Sequence, residues 1–115
     1  MAKAERDIER AARLASHLPD VEVSEWYGTP ALKVRGKGFT RMKDADTIVL
    51  RCPLEEKEML IAAAPDIYFE TDHYKGWPAV LVRLPKIPPE ELRHRLWRAW
   101  RMRAPKRLVA SVEGK

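Results

Sequence analysis

Apolar residues fall along the chain in two rhythms. In the first segment, Ala2 to Leu18, the residues Ile8, Ala11, Ala15 and Leu18 recur at i, i+3, i+7 and i+10. That spacing marks one face of a helix. Arg6, Glu9, Arg10 and Arg13 lie mostly off that face, and Pro19-Asp20 ends the helix. From Val21 the rhythm shortens to two. Extended runs cover Ala31 to Val34, Phe39 to Met42 and Thr47 to Cys52, and the stretches "RGKG" and "KDAD" between them are short and polar, as hairpin connections require. Lys33 and Arg35, then Arg41 and Lys43, alternate with apolar residues. Alternation by two assigns those charges to one sheet face and the apolar set to the other.

The helical rhythm returns at Pro53-Leu54-Glu55-Glu56, where two acids occupy the first turn and meet the positive end of the helix dipole. This helix runs through Met59, Leu60 and Ala63 and stops before Pro65. Ile67 to Glu70 reads as a fourth strand and Ala79 to Leu84 as a fifth. A last helix starts near Pro89, carries Leu92, Leu96, Ala99 and Trp100 on one face, and ends about Arg103, before Ala104-Pro105. The tail "SVEGK" reads as frayed. The order α, three strands, α, two strands, α predicts an α+β fold in two layers. Its expected form is an antiparallel five-stranded sheet with helices packed on one side.

A chain of 115 residues has the size of a single domain. We expect one domain over residues 1–115, with its core from about Lys3 to Leu108 and a short tail. There is no apolar run long enough to span a membrane. The charged start "MAKAERDIERAARLASHL" has no apolar signal core, so export is not expected. Cys52 is the single cysteine, which fits a reducing, cytoplasmic setting. The net charge of +5 points toward polyanions, because Lys and Arg displace counterions from phosphates.

The sequence lacks the common enzyme signatures. "RGKG" is a turn without a following Ser/Thr-led helix, so it is not a phosphate loop. No His-Glu-x-x-His and no Gly-x-Ser-x-Gly occurs. His17, His73 and His94 are far apart and share no ligand spacing, so neither a metal nor a cofactor is expected. Cys52 sits between a strand and a helix start, beside Arg51, where a thiol can be activated; the plainer reading is a small buried filler. In "ETDHYKGWPAVLVRL", the residues Asp72, His73 and Tyr74 could form a base with its orienting carboxylate. Neighbours along an extended chain point to opposite sides, however. The stretch therefore reads as a hairpin connection in which Gly76 gives a permissive backbone and Tyr74 and Trp77 cover the sheet. On the last helix, Glu91, His94, Arg95, Arg98 and Arg101 share a face opposite Leu92 and Trp100, and Arg103, Lys106 and Arg107 extend the charge. That face is either a phosphate-tracking surface flanked by Trp97 or a solvated face with cations near a helix C-terminus.

At "YGTPAL", "ETDHYKGWPAVLVRL" and "AWRMRAPKRL" the sequence resembles the MmcQ/YjbR family of small bacterial proteins. The resemblance runs from the first helix through Leu108. One departure is Ala79, which stands where the family commonly has Trp before the last apolar run; Trp77 lies two positions earlier. The resemblance implies a compact α+β domain of CyaY-like shape and a "double wing" DNA-binding motif, and it brings no catalytic residues. The combined expectation is a non-enzymatic, weakly sequence-selective DNA-binding protein. The hairpins would act as wings carrying Lys33, Arg35, Lys37, Arg41 and Lys43, with Arg98, Arg101, Lys106 and Arg107 as further phosphate contacts. Two alternatives stand beside it. One is a protein-interaction adaptor, which should expose a coherent apolar patch. The other is a small-ligand or enzyme site around Tyr27, Asp72, His73 and Tyr74, which should show a pocket with converging polar groups.

Overall fold

The computed structural model describes residues 3–26 and 28–113. The first helix, α1 (Lys3–Leu14), is followed by strands β1 (Val21–Trp26), β2 (Thr29–Val34), β3 (Lys37–Met42) and β4 (Thr47–Arg51). Then come α2 (Leu54–Ala63), β5 (Tyr68–Phe69), a 3₁₀ turn over Asp72–Tyr74 and β6 (Ala79–Arg83). A second 3₁₀ turn, Leu84–Lys86, leads into α3 (Pro89–Arg103) and α4 (Lys106–Glu113).

The sheet is antiparallel throughout, in the order β1-β2-β3-β4-β6-β5. It therefore has six strands where the periodicity gave five. The additional strand is Val21–Trp26, which pairs along its whole length with β2. Gly28, at φ 75°, lies in the connection that folds it back. Only a backbone free of a Cβ adopts that angle without strain.

The β2–β3 hairpin turns on Arg35 and Gly36, at φ 50° and 82°, between the paired residues Val34 and Lys37. Two consecutive positive φ angles match the right-handed twist of the flanking strands. Helix α1 is shorter than its apolar period. Ala15 and Leu18 leave the helix through tight turns yet remain buried, so the same stripe still faces the core. Residues 106–113, of which the last three were read as frayed, form α4, with Leu108, Val109 and Val112 packed against the core.

The main core lies between one sheet face and the helices α1 and α3. Leu32, Val34, Phe39, Ile48, Leu50, Val80 and Val82 contribute from the strands. Leu92, Leu96, Ala99 and Trp100 contribute from α3, all fully buried. The indole N–H of Trp100 donates to the carbonyl of Pro19 at 3.1 Å, so the largest core side chain leaves no polar atom unpaired there. Cys52 is 3% exposed and belongs to this core. Its thiol is pushed up to about 11, chiefly by burial and then by the Glu56 carboxylate. It is the small filler of the plainer reading.

The opposite sheet face carries a smaller cluster: Val49, Tyr74, Ala79 and Leu81, with Phe69 against it. These residues alternate with the main-core set along β4 and β6, as period-two geometry demands. No long apolar helix suited to crossing a membrane occurs among the described residues.

Candidate ligand cavity on the open face of the sheet

A cavity of about 400 Å³ opens on this second face. That volume is within the range of small-molecule sites. Its floor is Val49 and Ala79, small residues from the adjacent strands β4 and β6. Arg41 of β3 and Arg51 of β4 line its wall, and His73, Tyr74 and Trp77 form its rim, which Arg41 touches through Tyr74. Arg41 pairs directly with Val49 in the sheet, and Arg51 with Ala79, so both guanidinium stems rise from the same face as the floor. No carboxylate is among the described lining residues.

The rim is a folded corner, not an extended strand. Asp72–Tyr74 forms a 3₁₀ turn, closed by the Tyr74 N–H to Thr71 carbonyl bond at 2.9 Å and the Trp77 N–H to Tyr74 carbonyl bond at 3.0 Å. The sequence argument assumed extended neighbours there. In the turn, Tyr74 goes inward, to 7% exposure, while Asp72 and His73 stay exposed. Asp72 does not line the cavity, so no carboxylate–imidazole pair forms on it. The stretch does connect β5 to β6, which pair antiparallel. Gly76, at φ 80°, permits the final reversal.

Three rings meet at this corner. His73 and Trp77 lie nearly parallel with centroids 6.0 Å apart, and His73 meets Tyr74 edge-on at 4.8 Å. Trp77 remains 51% exposed, a large apolar face at the cavity mouth. The Tyr74 hydroxyl accepts a bond from Arg41 Nη2 at 2.6 Å. The phenol proton is thereby directed away from Arg41, because a hydroxyl that accepts from one neighbour donates to another.

What holds the corner is Lys57, which the sequence reading did not single out. It is 2% exposed, on α2. Its ammonium donates to the Tyr74 carbonyl at 2.7 Å and the Trp77 carbonyl at 3.0 Å, and it pairs with Glu70 at 2.7 Å. An ammonium has three N–H groups, and each has an acceptor here. The only sequence signal was a cation in an otherwise apolar-to-acidic helix, which reads by default as surface.

The residues expected on the wings divide. Lys33 stands on the open face, directly across from Glu22 of β1. Arg35 is not part of a clean alternation. A register shift between Leu32 and Lys33 interrupts the ladder, and Arg35 sits in the turn, bonded to Asp20 at 2.6 Å. Lys37 and Lys43 are exposed. Arg41 lies mid-strand in the cavity wall, not at a wing tip.

On α3, Arg98 and Arg95 both pair with Glu56 of α2. The hydrogen bond from Arg98, then that from Arg95, draws the Glu56 carboxyl below its usual range against the opposing effect of burial. His94 is drawn down by burial and then by Arg95 and Arg98, which disfavours its charged form. The expected basic face of α3 is thus partly neutralised from α2. Arg101, near the Trp97 ring at 5.6 Å, together with Lys106 and Arg107, remains exposed. Tyr27 lies outside the described residues. Among the described residues no group of three or more His, Cys, Asp or Glu is placed to hold a metal ion.

These features define a two-layer α+β domain with helices on one sheet face and an aromatic, arginine-walled cavity on the other. The chain belongs to the YjbR family, whose sequence model matches residues 16–102. It is 51% identical over 53 residues to an uncharacterized protein of Mycobacterium bovis and to uncharacterized proteins of two strains of Mycobacterium tuberculosis. The match covers 46% of this chain and 41% of each relative. The chain therefore spans about two fifths of the length of the curated relatives it matches. No solved structure matches the chain.

Proposed function

We propose that the protein binds nucleic acid, without catalysis, across the helix-free face of its sheet, in a reducing cytoplasmic setting. One observation carries this reading: β2, β3, β4 and β6 each place a cation on that face. They are Lys33, Arg41, Arg51 and Arg83 in spatial order. Arg83 stacks over the Phe69 ring at 3.9 Å on the same side. Cations spread over one sheet face, with aromatic rings among them, suit a charged backbone with bases turned toward the rings. Lys43 adds a cation at the end of the β3–β4 hairpin, Lys37 pairs with the core residue Val34 and so stands on the helix side, and Lys106 and Arg107 offer a second, separate basic edge. Phosphate contacts of this kind fix position and read little sequence.

The test is fluorescence anisotropy with two unrelated duplexes and one single strand at three salt concentrations. Dissociation constants of about 10⁻⁴–10⁻⁶ M at physiological salt are expected, rising steeply with salt. Reversing Lys33 and Lys43 to Glu weakens binding to every sequence alike, whereas reversing Lys106 and Arg107 reports whether α4 takes part. Absence of binding at low salt refutes the reading. An adaptor role then takes its place, favoured by the exposed Leu54 and Met59 on α2, at 45% and 70%.

A further inference from the structure

We infer that the open-face cavity is a nucleotide-unit site: it takes one planar base against the His73–Trp77 rim and the attached phosphate against Arg41 and Arg51. It rests on the nucleic-acid reading only in that a strand is one source of such a unit; a free mononucleotide is the other.

Three features converge on that chemistry. The first is shape. A cavity of about 400 Å³ lined by Val49 and Ala79 admits a ring system, and small lining residues leave depth that a bulkier pair would fill. The second is the rim. Trp77 offers an exposed ring face, and the nearly parallel His73 ring at 6.0 Å backs it, forming a stacking platform that every base can use. The third is charge. Two guanidiniums line the cavity with no carboxylate among the described lining residues; Arg41 donates to two neutral acceptors, the Met42 carbonyl and the Tyr74 hydroxyl, and guanidiniums favour phosphate oxygens. The Tyr74 hydroxyl, accepting from Arg41 at 2.6 Å, supplies a further donor directed away from Arg41.

The cavity is also held ready. Lys57 fixes the carbonyls of Tyr74 and Trp77 from behind, so the rim needs little ordering when a ligand arrives. Binding is stronger where such ordering has been done in advance. A duplex cannot present a stacked base to this floor without unpairing it. A single strand or a free nucleotide can.

The experiment titrates the full chain with adenosine monophosphate, inorganic phosphate, a twelve-nucleotide single strand and the matching duplex, following by NMR the Trp77 indole N–H and the backbone amides of His73, Tyr74 and Ala79, which carry the readout in the Trp77 variants. The expected result is that the mononucleotide and single strand shift the Trp77 signal, and that inorganic phosphate binds at least tenfold more weakly than the mononucleotide. Trp77→Ala should lower affinity for both by about five- to hundredfold, the range of one lost base–ring stack, and Trp77→Phe should restore most of it. Trp77 is half-exposed, so the variants should keep the wild-type melting point, which is checked alongside. Mononucleotide binding that depends on Trp77, without strand binding, leaves this inference standing and removes the nucleic-acid reading. Strand binding indifferent to Trp77, or phosphate binding as tightly as the mononucleotide, overturns the inference and leaves the nucleic-acid reading in place. No binding of any probe overturns both.

Discussion

Replacing Lys57 by methionine keeps the unbranched stem and its packing while removing the charge and three N–H donors. Two of its acceptors are main-chain carbonyls, of Tyr74 and Trp77, at 2.7 and 3.0 Å. Neither gains a substitute from a thioether. Each carbonyl keeps one backbone partner, the Trp77 N–H on Tyr74 and the Ala79 N–H on Trp77, so what is lost is two charge-assisted hydrogen bonds, about 1.5–3 kcal/mol each. The third acceptor, Glu70, is 34% exposed at its side chain and recovers water, so its loss adds little. The expected cost is therefore about 3–5 kcal/mol, a large share of the roughly 5–15 kcal/mol that stabilises a domain of this kind. The damage should also be local. Urea melts give the global term, and amide hydrogen exchange gives its location. Exchange over residues 70–78 should accelerate far more than exchange over α3, whose core contacts are untouched. A loss under about 1 kcal/mol with unchanged protection at the corner would show that Lys57 does not hold the rim, because the cost of two lost charge-assisted bonds would then be missing.

Trp100→Ala removes a fully buried indole and its bond to Pro19; it should cost about 3–5 kcal/mol in a denaturant melt. The Glu56 carboxyl titrates below its usual range in the folded state, chiefly through its bond from Arg98. The stability it contributes is thus present above the unfolded carboxylate value of about 4.3 and is lost as pH falls through its lower folded value. Melts of wild type and Glu56→Gln should accordingly differ most near neutral pH and converge in acid. Cys52, with its thiol pushed up to about 11 and its side chain buried, should resist iodoacetamide at neutral pH in the folded protein and react at the rate of a free thiol in urea.

Periodicity made the layers legible. Leu92, Leu96 and Trp100 share a helix face in the sequence and a core in the structure, and Pro89 and Ala104 bound that helix as their chemistry requires. The strands from Ala31 to Cys52 were readable because their turns are short and polar. The Val21–Trp26 strand was not, because only its edge position and its pairing with β2 make it one. Fold-level pairing also defeated the charge argument. Nothing near Arg98 in sequence announces Glu56, and nothing near Arg35 announces Asp20; those pairs join residues 42 and 15 positions apart. The cavity was legible only in fragments. His73 and Tyr74 were candidates, but Arg41 had been given to a wing and Arg51 served only as a neighbour of Cys52. Strand register brings the two arginines beside the aromatic corner, and the buried Lys57 that fixes the corner looks like a surface cation until its acceptors are known.

The most direct test of the account is a ¹H–¹⁵N NMR titration of the uniformly labelled protein with a single-stranded oligonucleotide at low salt. The account predicts shifts concentrated on the open sheet face, at Lys33, Arg41, Arg51, His73 and Trp77, with α1 and the buried face of α3 unmoved. Shifts gathered instead on α2 around Leu54 and Met59, or no shifts at any residue, would contradict it.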